Sequence, residues 1–234
     1  MSERPENPAG DSFGGRPPTS HERMTGLPWD ASYHDGPAPW DIGGPQPAIV
    51  RLAAEGRFAG TVLDAGCGSG ENALHVAALG LPVLGVDVAE TALARARAKA
   101  GERGIEAEFA VADALHLERL GRRFETVLDC GLFHTFDGDE RLGYVASLAA
   151  VTERDGIVFV LCFSDRGPDT GPHPVGEEEL RGRSPRSADG MSWPSNRIGF
   201  TRDVTTTAHR RGSRRSNGSE HRPGAGLRRP ALRR

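Results

Sequence analysis

At 234 residues and 37% apolar content, the chain is long enough to bury the core of one full-sized domain. It has no run of about 18 apolar residues, so no membrane-spanning helix is expected, and its polar, Pro- and Gly-rich start lacks the apolar stretch of a secretory leader. The net charge of −3 hides a split: residues 1–180 carry −14, whereas residues 181–234 carry +11, with 14 arginines against 3 acids.

In chain order, residues 1–28 show no core-forming pattern and are expected to be disordered. Aromatic residues begin at Trp29 and continue with Tyr33 and Trp40, which suggests a segment that docks on the domain occupying residues 29–180. Within that domain, helix patterns over 48–56, 72–79, 90–103 and 140–151 alternate with short apolar runs over 61–65, 82–87, 107–111, 124–130 and 156–163. The runs suit strands covered on both faces. The 90–103 helix is the clearest, Ala-rich with an acid at its start, a base at its end and Gly104 as a stop. The alternation predicts an α/β, doubly wound sheet that binds its ligand at the carboxyl ends of the strands. Cys67, Cys130 and Cys162 each lie in or beside an apparent strand without metal-ligand spacing. They read as buried, reduced thiols, which implies no metal centre and a cytoplasmic home.

The motif that carries most chemistry is Val62-Leu63-Asp64-Ala65-Gly66-Cys67-Gly68-Ser69-Gly70, a strand running into a glycine turn ahead of a helix. Such a turn lets a ligand approach the backbone closely. A dinucleotide fingerprint reads G-x-G-x-x-G and seats a pyrophosphate. Here the spacing is G-x-G-x-G with Asp64 in front, which suits a cationic nucleoside better and argues against an oxidoreductase. Asp87 ends the second strand pattern, where an acid can accept hydrogen bonds from ribose hydroxyls. Asp113 follows the third strand, where a carboxylate can accept from an adenine amine and the next backbone N–H, that of Ala114, can donate to a ring nitrogen.

These motifs resemble the successive cofactor motifs of class I S-adenosylmethionine methyltransferases. Pro39-Trp40-Asp41-Ile42-Gly43-Gly44-Pro45-Gln46-Pro47 and Asp129-Cys130-Gly131-Leu132-Phe133-His134-Thr135-Phe136 are similar to segments of the thiopurine and halide/thiol methyltransferase-like branch. The resemblance covers residues 35–180. It implies a Rossmann-like sheet of seven strands, S-adenosylmethionine as cofactor and a small-molecule acceptor with a thiol, phenol or quinol nucleophile. It further implies Asp64, Gly66, Gly68 and Gly70 near the methionine part of the cofactor, Asp87 and Val88 at the ribose, Asp113 and Ala114 at the adenine, and Trp40 in a lid. Asp129 and His134 would line the site near the transferring methyl, with His134 as the candidate general base because an unperturbed imidazole titrates near neutrality.

Residues 181–234 lack helical or strand periodicity. Sparse aromatics and the absence of a nucleic-acid motif argue against an RNA-binding role for the arginines. With GC-favoured codons, a two-base displacement of the reading frame turns 188–200 into an apolar strand and a turn, so the tail reads as out of frame. On that reading the final antiparallel hairpin of the fold is missing or replaced, and the alternative function is a catalytically inactive remnant that still binds the cofactor. The sequence leaves the oligomeric state open.

Overall fold

The computed structural model describes residues 13–165 and 173–180 with their side chains, those of Glu177 and Glu178 excepted, and the backbone of 197–200. All lie in one compact unit, Met1–Val204. Its helices are α1 (Ser20–Thr25), α2 (Pro47–Ala54), α3 (Glu71–Ala77), α4 (Glu90–Arg103), α5 (Gly138–Val151) and α6 (Glu177–Leu180). Its strands are β1 (Val62–Ala65), β2 (Val83–Asp87), β3 (Glu108–Val111), β4 (Phe124–Cys130), β5 (Thr152–Leu161) and β6 (Arg197–Phe200), and short 3-10 turns cover Trp29–Tyr33, Ala114–Leu120 and Phe133–Thr135.

The strands form one parallel sheet in the order β3-β2-β1-β4-β5-β6. Period-two alternation explains the two apolar layers. Leu63, Ala65, Val127, Val158 and Val160 pack to one side with Tyr144, Leu148 and Val151 of α5. Val62, Val83, Leu128 and Phe159 pack to the other with Ile49 and Leu52 of α2 and Ala73 and Val76 of α3. The chain leaves β1 toward β2 and β3, then returns to place β4 on β1's other side. The order therefore reverses between β1 and β4, where an open α/β sheet has its crevice.

Three expectations need correction. Ser20–Thr25, inside the stretch expected to be disordered, form a helix with a Thr19–Glu22 capping box. Glu22 is fully buried there and paired by Arg16 at 2.5 Å. Strand β5 begins at Thr152, not near Gly156, because Thr152 pairs with Phe124 directly at the end of α5 and a bulge follows. The tail, read as lacking strands, contributes β6, which pairs in parallel with Ile157–Val160 of β5. Among the described residues this short parallel strand stands where an antiparallel hairpin would be, so β5 is not left with an open edge. The displaced-frame reading of 188–196 and of 201–234 lies outside the described residues.

Candidate active site

The carboxyl ends of β1, β2 and β4 bring Asp64, Asp87 and Asp129 to one crevice. In register, Asp64 lies opposite Leu128 and Ala65 opposite Asp129. Alternation sends Asp64 toward the α3 face and Asp129 toward the α5 face, so the two acids flank the sheet edge from either side. Both are buried, at 1% and 0% exposure. Neither oxygen of Asp64 has a hydrogen-bond partner of good geometry among the described residues. Burial, then the charges of Asp129 and Asp87, push its carboxyl up to about 7. Asp129 Oδ1 accepts from the Leu132 and Phe133 amides at 3.0 and 3.3 Å. Its Oδ2 has no such partner among the described residues. Burial outweighs the bonds to Asp129 and raises its carboxyl to about 6.

The glycine turn between β1 and α3 has the backbone that its sequence requires. Gly68 and Gly70 sit at φ +52° and +81°, conformations that a side chain disfavours. A Cβ on Gly70 would stand 2.7 Å from that of Ala96, and one on Gly68 would stand 2.8 Å from the Tyr33 hydroxyl. Asp87 is tied to this turn: it accepts from the Gly68 amide at 2.8 Å and the Ala89 amide at 2.9 Å. Burial raises its carboxyl, opposed by the Ala89, Gly68 and Val88 amides. Asp113 caps the Ala114–Leu120 turn, accepting from the Leu115 amide at 3.0 Å, and Ala114 is buried against the sheet.

Trp40 is 46% exposed; its indole N–H donates to the Tyr33 hydroxyl at 3.2 Å, and that hydroxyl overlies Gly68. Sequence reasoning missed Tyr33 as this link. It also missed the clamp formed by Lys99, the chain's only lysine. Lys99 Nζ donates to Ser69 Oγ at 2.8 Å and pairs with Glu71 at 2.8 Å, while Ser69 Oγ donates to Asp41 at 2.5 Å. The clamp joins the 39–47 segment to the glycine turn. Lys99→Met is expected to speed amide hydrogen exchange over 41–44 roughly fivefold, since a partly exposed pair is worth about 1 kcal/mol. Unchanged exchange there would show that the Ser69–Asp41 hydrogen bond and the aromatic contacts hold the segment without the lysine.

His134 lies in the Phe133–Thr135 turn after β4, 8% exposed, its ring edge-on to Phe163 at 4.5 Å. Burial, then Arg141, His21 and His173, lowers its imidazole to about 4. The solution value that made it a candidate base does not survive burial, and it stays neutral down to acid pH. No hydrogen bond among the described residues joins His134 to the carboxylates.

A doubly wound sheet with a glycine turn and acids at its switch point defines a class of nucleoside-binding enzymes. The family described as Methyltransferase domain matches residues 62–156. An uncharacterized methyltransferase of Schizosaccharomyces pombe is 34% identical over 116 residues, half of this chain and 80% of that one. The chain belongs to this methyltransferase family. The 2-heptyl-1-hydroxyquinolin-4(1H)-one methyltransferase of Mycobacteroides abscessus is 42% identical over 147 residues, 61% of this chain. The chain spans only 65% of that relative's length. Among solved structures, Burkholderia thailandensis 1,6-didemethyltoxoflavin-N1-methyltransferase, with its acceptor and S-adenosylhomocysteine bound, superposes with a TM-score of 0.51 at 29% identity over 63% of either chain. No helix among the described residues is long and apolar enough to cross a membrane.

Proposed function

We propose that this chain transfers a methyl group from S-adenosylmethionine to a small-molecule acceptor with an oxygen or sulfur nucleophile. The observation that carries the reading is Asp64: a buried carboxylate near the Ala73 amide but with no hydrogen-bond partner of good geometry among the described residues, beside a glycine turn, at the switch point of the sheet. An unpaired buried acid favours a cationic ligand and repels a pyrophosphate. The cofactor's ammonium and sulfonium groups meet that demand, and when bound it supplies a methyl group already activated for transfer.

The chain's residues then divide the work. Gly66, Gly68 and Gly70 give the turn the positive φ and the close packing that shape its backbone for the ligand. Asp64 and Asp129 supply negative charge for its cationic end. Asp87 keeps lone pairs free for the ribose hydroxyls, beside Val88, while Asp113 and Ala114 frame the adenine. Trp40, held by Tyr33, closes over the turn. Alignment of the acceptor supplies much of the rate effect in such a transfer. His134, neutral throughout the physiological range, can accept a hydrogen bond from a hydroxyl and take its proton as the acidity of that group rises during transfer. Three free thiols, with burial raising Cys67, Cys130 and Cys162, suit a reducing, cytoplasmic setting.

Calorimetric titration of the full chain with S-adenosylhomocysteine tests the reading. One-to-one binding with a Kd in the micromolar range, about −8 kcal/mol, is expected. No binding by a folded sample would overturn it.

A further inference from the structure

Three histidines from three separate elements lie near enough to one another for their charges to interact. His21 lies on α1, His134 in the Phe133–Thr135 turn and His173 in the segment entering α6. The His173 amide donates to the His134 carbonyl at 3.1 Å. Arg141 ties the two together: its Nη2 donates to the His173 carbonyl at 2.5 Å and its Nε to the Phe133 carbonyl at 3.4 Å. Helix α1 is fastened over the same turn. Ser20 Oγ donates to the Thr135 carbonyl at 2.9 Å, and the Ser20 amide donates to Glu140 at 2.7 Å. Each ring leaves one nitrogen buried without a partner among the described residues: Nδ1 of His21, Nδ1 of His134 and Nε2 of His173. An orphaned buried polar atom costs about 1–3 kcal/mol. Three of them in one cluster point to a ligand that satisfies them.

The chemistry of the cluster restricts that ligand. Burial lowers the His21 and His134 imidazoles, so both rings are neutral near pH 7. A neutral imidazole offers one donor and one acceptor, and no net charge. Among the described residues, no group of His, Cys, Asp or Glu converges closely enough to hold a metal ion. The guanidiniums around the cluster are committed to carboxylates: Arg16 to Glu22, Arg23 to Asp137 and Glu140, Arg141 to Glu179. An inorganic anion would find each of these guanidiniums already paired. Aromatic and apolar surface is plentiful instead. His21 stacks on Trp29 at 4.3 Å with an interplanar angle of 11° and opens on a cleft of 180 Å³ lined by Leu27, Pro28, Trp29 and Trp40.

We propose that His21, His134 and His173 together bind the methyl acceptor, and that this acceptor is a planar aromatic ring taken up with its hydroxyl proton in place, not an inorganic anion. The proposal rests on the methyltransferase reading above and adds to it two recognition residues, His21 and His173, and a substrate class. The three nitrogens meet the hydroxyl and a neighbouring polar atom of the ring, while an apolar substituent lies in the Trp29 cleft.

The test uses the full chain saturated with S-adenosylhomocysteine and three probes: 2-heptyl-1-hydroxyquinolin-4(1H)-one, 1-naphthol and thiocyanate. The two hydroxylated rings are expected to bind and thiocyanate is not. His21→Phe, which keeps the stack on Trp29, and His173→Ala are each expected to weaken ring binding roughly tenfold, the loss of about one hydrogen bond. Their affinity for S-adenosylhomocysteine stays within about twofold of the parent, which also shows that they fold. Thiocyanate binding equal to that of the rings, ring affinities untouched by both substitutions, or no ring binding by a complex that holds S-adenosylhomocysteine would each overturn the assignment. If a folded parent fails to bind S-adenosylhomocysteine at all, the cofactor reading falls first and this assignment falls with it.

Discussion

Affinity for S-adenosylhomocysteine is expected to rise with pH between about 5 and 8, by up to tenfold per unit where one proton is released on binding. The cause is the pair of buried acids at the sheet edge. In the free protein Asp64 titrates near 7 and Asp129 near 6. The ligand's ammonium beside them favours their charged forms, so binding expels protons over that window. Calorimetry in buffers of different ionisation heat counts those protons directly. Asp64→Asn keeps the shape and removes the main titrating group. It is expected to flatten most of the slope and to weaken binding at pH 8 by about tenfold to a hundredfold, the worth of a charge-assisted contact. A flat profile for the parent protein would place the ligand's cationic end elsewhere.

The same acids govern the free protein's stability. A carboxyl raised in the folded state stabilises the fold in acid and loses that contribution as pH climbs through its folded value. For Asp64 the loss runs from about 4 to about 7 and amounts to about 4 kcal/mol at most. His134 acts in the opposite sense. Its lowered value costs the fold stability as pH falls from about 6.5 to about 4. The cofactor is thus expected to stabilise the protein most near pH 8, where the unpaired carboxylates weigh most heavily.

Asp87→Ala is expected to weaken S-adenosylhomocysteine binding by at least about a hundredfold, the worth of roughly two hydrogen bonds to a charged group. Two losses combine. The ribose loses its acceptor, and the Gly68 and Ala89 amides lose the carboxylate that holds the glycine turn to β2. Asp87→Asn keeps one acceptor oxygen and should fall between the two. Wild-type affinity in Asp87→Ala would place the ribose on other groups.

The sheet was legible because its strands are buried on both faces, so Val62–Ala65, Val83–Asp87 and Phe124–Cys130 read as apolar runs without needing their neighbours. The glycine turn was legible because positive φ and close packing demand that residue type. Helix α1 was overlooked, although its Thr19-x-x-Glu22 capping box stands in the sequence. A polar hexapeptide gives no apolar stripe, and Glu22 is buried because Arg16 and the Thr19 and Trp29 amides converge on it. Lys99, Asp41 and Ser69 lie far apart along the chain and carry no shared pattern. His21 and His173 are separated by some 150 positions and meet only once the sheet has closed. His134 was visible as a residue type, but its charge state was not, because burial decides it.

The cofactor acids stand at the ends of β1, β2 and β4, whereas the aromatic wall and two of the three histidines come from residues before α2 and after β5. On the proposed assignment, nucleoside binding and most of acceptor recognition are therefore written in different stretches of the polypeptide, with Trp40 and His134 as the exceptions. Grafting or mutating the flanking stretches can change which molecule is modified while the rim of the sheet stays as it is, so the scaffold is suited to exchanging its clientele without relearning its chemistry.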